Sequence, residues 1–292
     1  MRSGLCESIT VAISDVVDLL ACPHCRAPLG VVEDARSVRC EQGHSFDVAR
    51  QGYLNLAGGT AGHNADTPTM VAARDRFLSA GPYRPVVDRL LELARTAAPA
   101  SPRLLEVGAG TGYYLARLVA GLDASRGVAL DVSPAAARRA ARAGPRIGSV
   151  VADAWRTIPV ATGAIDLLLD VFAPRNAAEF ARVLSGRGVL LTVTPHRGHL
   201  AEIRDPLGLL QVAPGKQRQL QATLAGTLRQ TYGESLSFAV ELDDSLLHDV
   251  VAMGPSAFHL SEEELSARVG AVTTPVSVTV AVELGLWVVT PP

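Results

Sequence analysis

Cys22, Cys25, Cys40 and His44 fall within the stretch "CPHCRAPLGVVEDARSVRCEQGH" as a Cys-x2-Cys followed by a Cys-x3-His. Each pair can offer two donors from one tight turn, and the intervening hairpin lets the turns face each other across a tetrahedral zinc ion. Thiolate and imidazole both suit that metal. A redox pair would need its Cys-x-x-Cys at the start of a helix in a βαβ unit, whereas Pro28 and Gly30 follow closely here. His24 could compete as a ligand, but His44 has the better spacing to Cys40, which leaves His24 at the surface. Four protein ligands leave no open coordination position, so this ion holds structure and performs no chemistry. Cys6 stands apart as an incidental thiol.

A second group is built around "LLEVGAGTGYY", where Glu106 precedes Gly108, Gly110 and Gly112. Glycines in a turn after a first strand let a cofactor approach the backbone, as in nicotinamide and flavin proteins too. The acid before the loop favours S-adenosylmethionine, whose amino-acid end carries an ammonium. Asp131 closes the next strand, where an acid can hold ribose hydroxyls. Asp153 with Ala154 follows the third strand, on the adenine side. Each acid could instead merely end a strand and cap a helix; three in register argue for the cofactor.

The elements that must position these groups are short apolar runs alternating with helices. "RLLEVG", "GVALDVS", "GSVVAD", "IDLLLDVF" and "GVLLTVT" are strand candidates. Together they imply a doubly wound α/β, Rossmann-like domain with a parallel sheet covered on both faces. The β-branched C-terminus "TTPVSVTVAVELGLWVVTPP" reads as a two-stranded hairpin closing the sheet edge, with Gly285 near its turn. Before the sheet, "DTPTMVAARDRFLSAG" is a helix capped by Asp66 or Thr67, started by Pro68 and ended by Gly81. "YRPVVDRLLELARTA" is a second helix. The expected division is a small cysteine-bearing domain over 1–60, a connecting segment with a helix over 61–85, and the α/β domain over 86–292.

Composition excludes several classes. The chain has 292 residues, 48% hydrophobic and 19% charged, with a net charge of -2. It is therefore neither a disordered polyelectrolyte nor a strongly basic nucleic-acid binder. Lys216 is the only lysine, so arginines carry almost all the positive charge and can cluster. No apolar run reaches the roughly 18 residues that cross a bilayer, and "MRSGLCESIT" lacks the marks of a secretory signal. The expectation is a cytoplasmic protein with no membrane partner and no structural disulfide.

Nearly the whole chain resembles the 23S rRNA (guanine-N1)-methyltransferases. The resemblance is carried by the Cys22/Cys25/Cys40/His44 set, "GHSFDVARQGYLNL", "ARDRFLSAGPYRPV", "LEVGAGTGYY", "VFAPRN" and "VTPHRGHL", in that order. It implies a zinc-ribbon RNA-recognition domain before a class I S-adenosylmethionine-dependent methyltransferase domain, acting as a homodimer on a 23S rRNA hairpin loop. It also implies that Tyr83, Thr111, Gly112 and His199 are cofactor contacts. The segment "AMGPSAFH" is similar to the branch that confers resistance to tylosin-type or mycinamicin-type macrolides.

Guanine N1 must lose its proton, and charge builds on O6, so the site needs a proton acceptor and a cation. "DVFAPRN" departs from the D/N-P-P-Y/F motif of amino-group methyltransferases. We expect Phe172 to pack near the base, Arg175 to stabilise O6 or a phosphate, and Asp170 to accept the proton, against its reading as a buried strand-end carboxylate. Arg26, Arg36, Arg39, Arg50, Arg74 and Arg76 are the expected RNA grip. Two rival functions remain: a small-molecule methyltransferase with the same loop, and a non-enzymatic zinc-dependent RNA-binding protein.

Overall fold

The computed structural model describes residues 12–32, 36–57, 65–211 and 215–290. Cys6, residues 58–60 and residues 61–64 of the expected connection lie outside them. Three short strands, β1 (Leu29–Val31), β2 (Ser37–Cys40) and β3 (Ser45–Asp47), make a small antiparallel sheet in the order β1-β2-β3. β4 (Tyr53–Asn55) follows, then helices α1 (Pro68–Ala80) and α2 (Arg84–Ala97). Thr67 caps α1 by accepting from the Met70 N–H, Pro68 fills its first turn, and Gly81 ends it at φ 97°, as the sequence signals require.

The main domain then alternates β5 (Arg103–Val107), α3 (Tyr113–Gly121), β6 (Arg126–Asp131), α4 (Pro134–Ala140), β7 (Ile147–Val151), β8 (Ile165–Val171), α5 (Ala177–Val183) and β9 (Leu184–Pro195). It closes with α6 (Ala201–Arg204), α7 (Lys216–Leu224), β10 (Leu228–Leu242), α8 (Asp244–Ala252), α9 (Glu262–Gly270) and β11 (Val276–Val289). The eight-stranded sheet has the order β10-β11-β9-β8-β5-β6-β7-β4. β4 to β9 run parallel, while β11 is antiparallel to both β9 and β10. Successive strand residues feed opposite cores: Leu104, Leu167 and Leu169 pack with α2 and α3, whereas Leu105, Leu168 and Leu190 pack with Phe180 and Leu220. That two-sided burial is why these strands are apolar throughout.

One expectation needs revision. The C-terminal run is one continuous strand, not a hairpin, and Gly285 lies within it opposite Gly233. A β-carbon at Gly285 would come within 2.7 Å of Thr192 Oγ1 and of Trp287 Nε1. The glycine therefore leaves room for the buried hydrogen bond of 3.0 Å from Trp287 to Thr192. The partner strand is β10, whose inward Leu236, Phe238 and Val240 alternate with polar residues.

Packing also runs across the division expected at residue 60. β4 is the edge strand of the large sheet, paired with β7 from Tyr53–Ser149 to Asn55–Val151. Leu20 bridges Val160, and the Ala21 N–H donates to the Pro159 carbonyl at 3.1 Å. Ile13, Val16, Leu19, Cys22, Val38 and Cys40 share one apolar core with Leu105, Val107 and Val150. A three-stranded sheet this small buries too little to stand alone, and it borrows the core of the larger unit.

Candidate functional site

Sγ of Cys22, Cys25 and Cys40 and a ring nitrogen of His44 all lie within 4.8 Å of one another. His44 Nδ1 is 3.4 Å from Cys40 Sγ and 3.6 Å from Cys22 Sγ, and Cys25 and Cys40 sulfurs are 3.6 Å apart. Zinc–ligand bonds of about 2.0–2.3 Å in a tetrahedron put donors about 3.3–3.8 Å apart, so the four residues fit one zinc ion. His24 is exposed and stacks on Phe46 at 5.7 Å, outside the quartet.

The glycine loop sits where β5 pairs β6 on one side and β8 on the other, the point at which strand order reverses and ligands bind. Gly108 and Gly110 have φ of 63° and 54°. A β-carbon on Gly108 would lie 2.7 Å from Ala173 Cβ, and one on Gly110 would lie 3.2 Å from a guanidinium nitrogen of Arg74. At Gly112 the close neighbours of an added β-carbon are Ala143 and Ala140, so glycine here also lets α3 pack against the region of α4. Positive φ and the close approach of Ala173 and Arg74 thus reserve these positions for glycine, and a tight turn at this point of the sheet suits S-adenosylmethionine. Thr111 is buried beside it at 3% exposure.

Asp131 accepts from the Gly110 N–H and the Ser133 N–H, each at 2.8 Å, and ties the loop to the end of β6. Asp153 accepts from the Trp155 N–H at 2.9 Å beside buried Ala154, and its side chain stays partly open. Glu106 is buried and accepts from the Leu115 N–H in the first turn of α3 at 3.1 Å. Burial pushes its carboxyl up to about 8, opposed by the Leu115 hydrogen bond and helped by Asp131.

That shift has a sign. A carboxyl raised above its unfolded value ionises in the unfolded chain first, so stability falls as pH rises from the unfolded value toward 8, by roughly 1.4 kcal/mol per unit at most. Glu106→Gln can still accept from Leu115 without ionising. Urea midpoints of this variant are expected to decline less between pH 5 and 8 than those of the parent. Parallel curves would show that Glu106 is ionised in the fold.

Tyr83 and His199 come together although they are 116 residues apart: Tyr83 Oη is 2.9 Å from His199 Nε2. The Ala281 N–H donates to His199 Nδ1, which leaves the ring proton on Nε2 to be donated to the tyrosine oxygen. Burial raises the Tyr83 phenol and keeps it protonated, so its O–H remains available to a third group. Phe172 adjoins the pair, its ring 6.2 Å from Tyr83 and 5.9 Å from His199. Phe172 has a φ of 56° and is 39% exposed. A bulky residue is thus held in the left-handed region, an uncommon backbone strain, beside the glycine loop.

Asp170 does not face this opening. It is wholly buried, accepts from the Ala173 N–H at 3.3 Å and lies 3.4 Å from Arg175 Nε. Its Oδ1 supports the loop, while its Oδ2 is buried beside Arg175. Arg175 is drawn inward with it, at 17% side-chain exposure. Arg74 and Arg76, expected in the RNA grip, are both ion-paired. Arg76 forms a two-pronged pair with Asp249 of α8 at 2.9 and 2.5 Å, and Arg74 pairs with Asp66. Arg26, Arg36, Arg39 and Arg50 are exposed.

Asn176 was missed as a site residue. Its Nδ2 donates to the Ala154 and Arg156 carbonyls at 3.1 and 3.2 Å, and its oxygen accepts from the Glu179 N–H to cap α5. It clamps the Asp153–Arg156 turn to the Phe172–Arg175 loop. An asparagine just before a helical run was the available signal.

Comparisons with known proteins agree with this geometry. Residues 20–57 match the zinc ribbon described as RlmA, N-terminal, and residues 105–192 match a methyltransferase domain. The 23S rRNA (guanine(748)-N(1))-methyltransferase of Streptomyces fradiae is 47% identical over 257 residues, covering 87% of this chain and 91% of that one. A Micromonospora griseorubida protein assigned as a 23S rRNA (guanine-N(1)-)-methyltransferase is 42% identical, covering 94% and 98%. One with the same assignment in Bacillus subtilis is 26% identical over 92% of this chain and 97% of its own length.

Proposed function

Because the chain belongs to the 23S rRNA (guanine-N1)-methyltransferase family, we propose that it methylates N1 of a guanine in a hairpin loop of 23S rRNA and thereby confers resistance to tylosin-type or mycinamicin-type macrolides. It acts in this reading as a homodimer in the cytoplasm; among the described residues no helix is long and apolar enough to cross a membrane. One observation carries the RNA reading. The closed metal knuckle is pinned to residues 157–161, which continue directly from the Asp153–Trp155 turn at the cofactor site. A structural metal module at the mouth of a methyl-transfer site provides a surface for a large substrate.

S-adenosylmethionine supplies a methyl group made electrophilic by its sulfonium. Asp131 holds the ribose hydroxyls, Asp153 and Ala154 the adenine, and Glu106 the start of α3 beneath the loop. Tyr83, Thr111, Gly112 and His199 complete the cofactor wall. Phe172 packs against the target base, and Arg175, held by Asp170, stabilises charge on O6. Asp170 positions this loop, and the N1 proton would leave to solvent water as the base is methylated. The ribbon unit, the 61–85 connection and the 86–292 catalytic unit keep distinct tasks while sharing one core.

Trp155 is 67% exposed and Arg156 beside it 76% open, which suits stacking of an unpaired base beside a phosphate-binding cation. Trp155→Ala is expected to raise the RNA concentration for half-maximal rate about 10-fold with cofactor affinity unchanged, since stacking contributes roughly 1–3 kcal/mol per base. An unchanged RNA dependence would remove Trp155 from the interface. The function itself is tested by transferring labelled methyl to 23S rRNA and digesting to nucleosides. Label in 1-methylguanosine is expected; label only on a small metabolite, or none with the cofactor bound, would favour the rival readings.

A further inference from the structure

Arg74 is carried on α1 and reaches across to the glycine loop. One of its guanidinium nitrogens and its Cδ stand 3.2 and 3.4 Å from the place of a β-carbon on Gly110. Its Nη1 pairs with Asp66, and its Nη2 donates to the Met253 carbonyl at 2.8 Å. Asp66 is anchored in turn, its carbonyl accepting from Ser133 Oγ at 2.6 Å, while the Ser133 and Gly110 N–H groups both donate to Asp131. Arg74 therefore stands in a closed circuit with the two acids at the end of β6 and at the start of α1. It is 24% exposed, so it is neither sealed in the core nor free in solvent.

This placement solves a charge problem. The amino-acid end of S-adenosylmethionine carries an ammonium and a carboxylate. Asp66 and Asp131 are the acids beside the loop and offer the carboxylate no partner, while Glu106 is buried beneath it. A guanidinium has five N–H donors in a planar fork that matches a carboxylate. Asp66 and Met253 use two of the five and fix the plane of the fork.

We propose that Arg74 binds the α-carboxylate of the cofactor, with Asp66 and Met253 holding its guanidinium over Gly110. The proposal rests on the reading of the loop as the S-adenosylmethionine site. It moves Arg74 from RNA contact to cofactor recognition, and it makes α1 part of the cofactor wall.

The test is a set of binding titrations of the full chain with S-adenosylhomocysteine and with 5′-methylthioadenosine, which lacks the amino-acid end. Arg74→Ala is expected to lose about 10- to 100-fold in affinity for S-adenosylhomocysteine, the range typical of a hydrogen-bonded charge. Its affinity for methylthioadenosine should stay within about twofold of the parent, which also shows that the variant is folded. Arg74→Lys should recover part of the loss. Equal losses for both nucleosides would show a structural role, and no loss for either would show no role; both overturn the proposal. A parent protein that binds neither nucleoside would instead remove the cofactor reading on which the proposal rests.

Discussion

Gly108→Ala is expected to weaken cofactor binding by about 100-fold and to lower methyl transfer with it. The new β-carbon would stand 2.7 Å from Ala173 Cβ and 3.6 Å from Ala173 Cα, so the contact cannot be relieved by turning a flexible side chain. The residue also sits at φ 63°, which costs a non-glycine residue roughly 1–2 kcal/mol. Overpacking adds about 1–3 kcal/mol. Either the glycine loop or the Phe172–Arg175 loop must move, and in the proposed function these loops hold the two reactants. Gly163→Ala is the control: it has a similar φ of 67° with nothing within 4 Å of the added carbon. It should lose only a little stability and bind S-adenosylhomocysteine normally. If Gly108→Ala bound that ligand within threefold of the parent, the two loops would not be meeting where the structure places them.

Loss of the metal is the second large effect. Cys40→Ser is expected to reduce zinc from one ion per chain to none, by elemental analysis, and to lower methylation of 23S rRNA by at least about 100-fold. Structural zinc is worth about 10–16 kcal/mol in small peptide domains, comparable with the roughly 5–15 kcal/mol that hold a whole domain. The three strands β1–β3 cannot replace it. Amide exchange should therefore rise across residues 20–57. Cys22 and Cys40 are buried in the core that also holds Leu105 and Val107, so the melting temperature should fall as well. Affinity for S-adenosylhomocysteine should change only a few-fold, because Gly108, Gly110, Asp131, Tyr83 and His199 all lie outside the ribbon. A variant that keeps full RNA methylation without zinc would contradict the recognition role of the module.

Much of the site was legible because its residues are neighbours in sequence. A zinc quartet built from two knuckles, and acids that end consecutive strands beside a glycine turn, leave local spacing as their signature. Tyr83 and His199 needed the family resemblance, since their hydrogen bond spans 116 residues. Three features were hidden for physical reasons. Phe172 gives no sign in its residue type that its backbone is left-handed. The partners of Arg74 and Arg76 lie at the end of α8 and just after it, where Asp249 and Met253 come more than 170 residues later. Gly285 reads as a turn because the requirement for it comes from Trp287 and Thr192 on either side of a strand pair.

The most direct test of the account is reverse transcription across 23S rRNA incubated with the protein and S-adenosylmethionine. Methylation at N1 blocks Watson–Crick pairing, so primer extension should stop at one new position, one nucleotide before a guanine in a hairpin loop. The stop should require both protein and cofactor and should disappear in the Cys40→Ser variant. A protein that binds S-adenosylmethionine and 23S rRNA yet produces no new stop, or stops at many unrelated guanines, would contradict site-directed N1 methylation as its function.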